Sequence, residues 1–174
     1  MSARMEHPTD VKIRYTELSD GKPLHQWLLD PTVARWFPMC DNVEIEDAVA
    51  RWVGFARYKC SLTALKNGIP VGLCTLYLQP YKKLAHQCEF GIIVAPEYRN
   101  QGIGSMLLDH LVHLAKTNFK IELLHLQVYQ DNPAINLYKR HGFVEFGRQV
   151  AWIKELDNTY TGRVFMEKYL NAEE

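Results

Sequence analysis

Residues 90–108 constrain this chain more than any other stretch. Phe90-Gly91-Ile92-Ile93-Val94 reads as a strand that stops at Pro96. Arg99-Asn100-Gln101-Gly102-Ile103-Gly104-Ser105 follows as a basic, amide-rich turn. From Ile103 onward, Met106, Leu107, Leu111, Leu114 and Ala115 recur at helical spacing. The order is strand, loop, helix. Glycines at 102 and 104 remove side chains that would hold a ligand off the backbone. The first N–H groups of the new helix lack partners within it. The helix dipole favours an anion in front of them, by about 0.3–1 kcal/mol at an exposed site. Arg99 adds a full positive charge. Two familiar phosphate loops are excluded. A dinucleotide fingerprint would need a third glycine where Leu107 stands, and no Gly-Lys-Ser/Thr follows as in a Walker loop.

Around this unit the periodicities predict one mixed sheet. Residues 11–16 alternate as a strand. Ser19 or Asp20 is placed to cap a helix carrying Leu24, Trp27 and Leu28, which Asp30-Pro31 breaks. Residues 42–59 predict a second helix, acidic at its start, with Val49, Trp52, Val53 and Ala56 as its apolar stripe. Its tryptophan belongs either to the core or to the wall of a pocket. Strands at 60–66 and 71–81 form a hairpin about Asn67-Gly68, with Pro80 ending the second. Residues 86–94 are the next strand, and Gly91-Ile92 inside it predicts a bulge. A strand at 123–129 and a helix from Asn132-Pro133 to His141-Gly142 follow. Strands at 143–153 and 159–169, turning at Asp157-Asn158, complete the chain. The class is α/β: a central mixed, mostly antiparallel sheet of about seven strands with helices on both faces. One domain over 11–170 follows a loose lead-in over 1–10.

Twenty basic and twenty acidic residues cancel, which argues against a nucleic-acid partner but permits a local basic patch. The sequence has neither a long apolar run nor a signal-peptide pattern, so a cytoplasmic protein with no membrane segment is expected. Cys40, Cys60, Cys74 and Cys88 form no Cys-x-x-Cys pair and are expected as free thiols. His110 with His113, and His86 with Cys88, share faces but lack a third ligand, so no metal is expected.

A second pattern lies in Asp131-Asn132-Pro133-Ala134-Ile135-Asn136-Leu137-Tyr138-Lys139-Arg140-His141-Gly142-Phe143. The turn at 99–104 resembles the Gln/Arg-x-x-Gly-x-Gly/Ala signature of the GCN5-related N-acetyltransferase (GNAT) superfamily. The later segment resembles that superfamily's Asn-x-x-Ala, Leu-Tyr and Gly-Phe run, and the element order matches over nearly the whole chain. Asp131 stands where the family often has Asn, with Asn132 beside it.

This resemblance implies that acetyl-CoA lies where two strands, here 86–95 and 123–129, splay apart. Ile92, Ile93 and Val94 would offer backbone groups to the pantetheine arm. Backbone N–H groups of Asn100, Gln101, Gly102, Ile103, Gly104 and Ser105, together with Arg99, would hold the pyrophosphate. Asn132 would supply the pantetheine contact usual at the neighbouring position. The reaction implied is direct acetyl transfer to a primary amine of a small molecule or a peptide. Such an amine is protonated at neutral pH, so a base must take a proton. Glu89 falls where the family often keeps a glutamate; His86 or water are the alternatives. Tyr138 matches the family's tyrosine, which protonates the leaving thiolate. Acids at Asp41, Glu44, Glu46 and Asp47 suit a cationic acceptor or simply a helix start. The final strands are candidates for a homodimer contact. A non-catalytic acyl-CoA sensor on the same fold is the alternative function.

Overall fold

The computed structural model describes residues 6–170. Seven strands form one sheet in the order β1-β2-β3-β4-β5-β7-β6. They are β1 Val11–Tyr15, β2 Ser61–Lys66, β3 Ile69–Tyr77, β4 Gln87–Val94, β5 Leu123–Tyr129, β6 Val144–Lys154 and β7 Tyr160–Tyr169. Every neighbouring pair is antiparallel except β4 with β5. The exception follows from the connections. Tight turns allow hairpins, whereas a parallel pair needs a long crossover, here the helix α4 (Ile103–Asn118). Asn67 and Gly68 take φ of 51° and 77° in the β2–β3 turn, the left-handed pair such a hairpin requires.

The two faces are covered differently. On one, α4 buries Ile103, Leu107, Leu108 and Leu111 against Cys74, Leu76, Phe90 and Leu124. The short α5 (Ala134–Arg140) adds Tyr138 to the same core. On the other, α1 (Gly21–Leu29), α2 (Pro31–Ala34) and α3 (Asn42–Gly54) enclose a smaller core of Leu24, Leu28, Val33, Ile45, Leu73 and Ile93. Gly142 takes φ 83° just past α5, the left-handed stop its glycine allows.

Four local expectations change. The strand expected to reach Pro80 ends at Tyr77, and a 3₁₀ turn follows at Lys82–Leu84. The helix expected over 42–59 ends at Gly54, and a 3₁₀ turn, Phe55–Tyr58, carries it on. The bulge at Gly91-Ile92 is absent, because β3 and β4 keep one register from Gly72↔Val94 to Tyr77↔Glu89. Gly91 gives clearance instead. A Cβ there would lie 2.7 Å from the Tyr77 hydroxyl oxygen and 2.8 Å from the Trp52 ring. Asp20, finally, makes no side-chain cap on α1. Its carboxylate is only 2% exposed and accepts from Arg14 at 2.7 and 2.8 Å, from the Thr63 hydroxyl at 2.8 Å and from the Glu17 N–H at 2.9 Å. Burial alone would raise its pKa, but these donors hold it below the usual carboxylate range.

Residues 1–5 of the expected lead-in lie outside the described residues. The rest is tied down: His7 Nε2 meets Asp109 at 2.8 Å and Lys66 Nζ meets Asp10 at 3.3 Å.

Candidate active site

The parallel pair at the centre of the sheet is short. Gln87↔Leu123, Cys88↔Leu124 and Glu89↔His125 are its rungs, although both strands run on, to Val94 and Tyr129. Backbone alternation shows which groups are left over. The Ala95 N–H donates to Val71, so Ile93, Gly91 and Glu89 turn their backbone groups toward β3. Phe90, Ile92 and Val94 turn theirs into the gap. On the opposite bank, the Gln130 N–H donates to Gly162 of the β7 side, which leaves Gln127 and Tyr129 facing the gap. Ile92 and Val94 are thus free of β3 on the side that faces the gap. Ile93, expected with them, is not: its backbone faces β3, and its side chain is buried in the smaller core.

The loop after β4 presents backbone donors at the start of α4. Asn100 and Gly102 take φ of 59° and 80°, which folds the chain back so that α4 begins without a side-chain cap. The N–H groups of Ile103, Gly104 and Ser105 thus open outward. The side chains expected to help are directed elsewhere. Arg99 donates to the Thr32 carbonyl at 3.3 Å, and Gln101 is held between Lys66 Nζ at 2.9 Å and the Glu97 carbonyl at 3.3 Å. The Ser105 hydroxyl meets His141 Nε2 at 3.0 Å, His141 Nδ1 meets Asp109 at 3.0 Å, and Asp109 meets His7. This series of contacts has the connectivity of a nucleophilic triad, but Ser105 is buried and stands apart from the cavity that holds Glu89. It fastens the end of α5 to α4. Asn132 Oδ1 accepts the Ala134 N–H at 2.9 Å just before α5, and the Asn132 amide N–H₂ has no hydrogen bond among the described residues. Asp131 is exposed and lies off the cavity.

A cavity of about 1090 Å³ joins the strand gap to a space beneath α3 and the 55–58 turn. Its walls are aromatic. Trp52 packs edge-on against Tyr77 at 6.2 Å and Phe37 at 6.3 Å, and Trp152 against Tyr129 at 5.6 Å. Trp52, left open between core and pocket, lines this space. Glu89 stands on its floor, with Oε1 accepting from Gln127 Nε2 at 3.0 Å. The Glu89 charge adds to burial in raising the pKa of the Tyr77 hydroxyl. Burial lowers the pKa of His125, against the charges of Glu89 and Glu167, so its ring is neutral at pH 7. His86 is exposed and lies outside the cavity.

Tyr138 reaches the gap from the α5 side. Its ring packs against Phe90 at 6.0 Å and Phe143 at 6.2 Å, and burial pushes its hydroxyl pKa up, so it stays a proton donor at neutral pH. Sequence reasoning missed Tyr77, Gln127, Tyr129 and Trp152. The signal for Gln127 and Tyr129 was strand alternation, since His125, Gln127 and Tyr129 share the face of Glu89 once β4 and β5 are in register.

Among the described residues, one trio of potential metal ligands comes together: Cys40, Asp41 and Glu44, all exposed. Its carboxylates already serve the start of α3, accepting the Glu44 N–H at 2.9 Å and the Cys40 N–H at 2.7 Å. No described helix is long and apolar enough to cross a membrane.

Known proteins resemble this chain in sequence and in fold. The L-amino acid N-acetyltransferase AaaT of Escherichia coli (strain K12) is 26% identical over 144 residues, covering 78% of this chain and 83% of that protein. The spermidine N(1)-acetyltransferase of Vibrio cholerae serotype O1 is 31% identical over 93 residues, covering 49% of this chain and 52% of that protein. The structure of yncA from Salmonella typhimurium, solved with its cofactor acetyl-CoA, superimposes with a TM-score of 0.77 at 17% identity over 95% of this chain and 96% of that one. A family model described as the acetyltransferase (GNAT) family matches residues 21–143. That span holds both sequence signatures and the splayed strands, and the chain belongs to the GNAT acetyltransferase family.

Proposed function

We propose that this protein transfers an acetyl group from acetyl-CoA to the primary amine of a small molecule with an apolar or aromatic body. One observation carries the reading: the cavity runs from the strand gap into an aromatic chamber floored by Glu89. The gap and the uncapped α4 terminus fit an extended amide chain ending in phosphates. Unpaired backbone at Ile92 and Val94 suits the amides, and the N–H groups of residues 103–105 suit the pyrophosphate.

Bound acetyl-CoA supplies an activated thioester. Glu89 takes a proton from the acceptor ammonium, directly or through a water, and the freed amine attacks the carbonyl carbon. As the C–N bond forms and the C–S bond breaks, the Tyr138 hydroxyl gives its proton to the leaving sulfur. It recovers one from the new amide nitrogen. The raised pKa of Tyr138 keeps it protonated for this step.

The charge distribution selects among acceptors. Of the lining acids, Glu44 accepts the Cys40 N–H and Asp47 is paired with Arg51. Glu89 is thus the one lining carboxylate aimed at a ligand's amine, beside walls that suit an apolar body. A polyamine, with several cations, would find too few free carboxylates. The relative aligned over most of its length acts on L-amino acids, which agrees. The test is thiol release from acetyl-CoA with L-phenylalanine, 2-phenylethylamine, spermidine and a short peptide as acceptors. An aromatic amine should exceed spermidine by about 10-fold or more in kcat/KM. A preference for spermidine or the peptide would reassign the acceptor. Gly104→Glu, whose new side chain begins 3.3 Å from Leu137 at the cradle, should abolish acetyl-CoA binding in calorimetry. Unchanged binding would sink the cradle.

A further inference from the structure

We infer that Gln127 and Arg163 are positioning residues that fix the Glu89 carboxylate in one orientation, with Oε1 fastened and Oε2 presented to the acceptor. The inference rests on the reading of Glu89 as the base. Glu89 occupies the last paired rung of β4 and β5, opposite His125. Gln127 is the next β5 residue on the same face, just beyond the point where the strands part. Its Nε2 donates to Glu89 Oε1 at 3.0 Å, and its Oε1 accepts from Arg163 Nη1. Both ends of the amide are engaged, so it cannot flip. A flip would set its N–H₂ against the guanidinium and its oxygen against the carboxylate. Glu89 Oε2 has no hydrogen bond among the described residues and is the atom left to receive a proton.

Arg163 is itself held firmly. It faces Tyr129 across β5 and β7, donates from Nε to Gln149 Oε1 at 2.9 Å, and lies 4.5 Å from the centre of the Trp152 ring and 4.6 Å from that of Phe165. It forms no ion pair among the described residues. Its charge is therefore directed through one amide at Glu89 rather than neutralised by a neighbouring acid. Lys in its place would keep the charge but lose the planar fork. The other titratable groups around Glu89 are Tyr77 from β3, Cys88 from β4, His125 and Tyr129 from β5, Glu167 from β7 and Tyr138 from α5. Glu44, Asp47, Arg51, Arg57 and Tyr58 line the same cavity from α3 and the following turn. Tyr77 and His125 are neutral at pH 7, and Asp47 and Arg51 offset each other.

The test compares kcat/KM of Gln127→Glu with wild type from pH 5 to pH 8.5, using the best acceptor found. The ratio cancels the acceptor's own ionisation. Two carboxylates sharing one site retain a proton between them. The ratio should therefore fall by about 10-fold from pH 8 to pH 5. A flat ratio in a folded variant would overturn the inference. Arg163→Met provides a second route that leaves both site residues in place. It should lower kcat by about 10-fold at unchanged KM for acetyl-CoA, with Arg163→Lys restoring part of the loss. Equal kcat in Arg163→Met and wild type would also overturn it. Thermal melting and acetyl-CoA binding confirm that each variant is folded. Glu89→Gln separates the two ideas. Full activity there removes the base, whereas inactivity there with unaltered Gln127 and Arg163 variants removes only the positioning role.

Discussion

The two faces of the central sheet come from the same strands and behave as different materials. On β5, Leu124, Leu126 and Val128 point under α4 and α5 and are buried, while His125, Gln127 and Tyr129 point into the cavity face. On β4, Phe90 joins the α4 core, whereas Glu89 and Gly91 meet the chamber. The closed face is filled by Leu107, Leu108 and Leu111, each fully buried. The open face keeps polar groups in hydrogen-bonded pairs beside aromatic walls. Because side chains alternate, a one-residue slip of β5 would exchange the two sets. The dry face thus holds the register that the other face needs for chemistry.

Perturbations test how far that division holds. The largest expected effect comes where it is crossed. Tyr138 is anchored on the closed side, yet it also lines the cavity. Tyr138→Phe should lower kcat by about 10²–10⁴-fold with little change in melting temperature, measured by thiol release and calorimetry. A wild-type rate would confine chemistry to the open face. Next is Leu111→Ala under α4, expected to cost about 2–5 kcal/mol in urea unfolding while kcat at low temperature stays near wild type. A comparable loss of kcat would show that the closed face does more than support.

Asp20→Asn, at the Arg14 pair, should cost about 1–3 kcal/mol at pH 7. Because the folded carboxyl is held below the ordinary range, its contribution is full above about pH 4. It is lost as pH falls through the folded value, so the gap between wild type and variant should narrow in acid. A gap that widens in acid would mean Asp20 is not held as an anion. Smallest is Ser105→Ala, which removes the hydroxyl that meets His141 and should cost about 0.5–1.5 kcal/mol without altering turnover. A large activity loss would give the Ser105–His141–Asp109 chain a chemical role.

Much of this division was legible in the residues. The turn at Arg99–Gly104 and the Asn132–Phe143 run announced the loop and α5, because glycine, cap and helix spacing are local signals, whereas Tyr138 was singled out by the family resemblance alone. Trp52 stayed ambiguous because an aromatic stripe on a helix packs equally well on a core or around a cavity. Gly91, Ile93 and Gln127 were misjudged or missed for one shared reason. Their roles depend on which neighbour a strand residue faces, and that is set by pairing between segments distant in sequence. Asp20, one of two cap candidates with Ser19, shows its true partners, Arg14 and Thr63, only once β1 and β2 are side by side.

The three-rung junction between β4 and β5 leaves an internal slit of unsatisfied amides. An extended ligand laid in that slit would act as an eighth strand and protect them from solvent deuterons. Exchange at Ile92 and Val94 should then be fast in the empty protein and slow in the loaded one. The backbone thus carries its own meter of occupancy, readable by deuterium uptake in mass spectrometry without an acceptor or turnover.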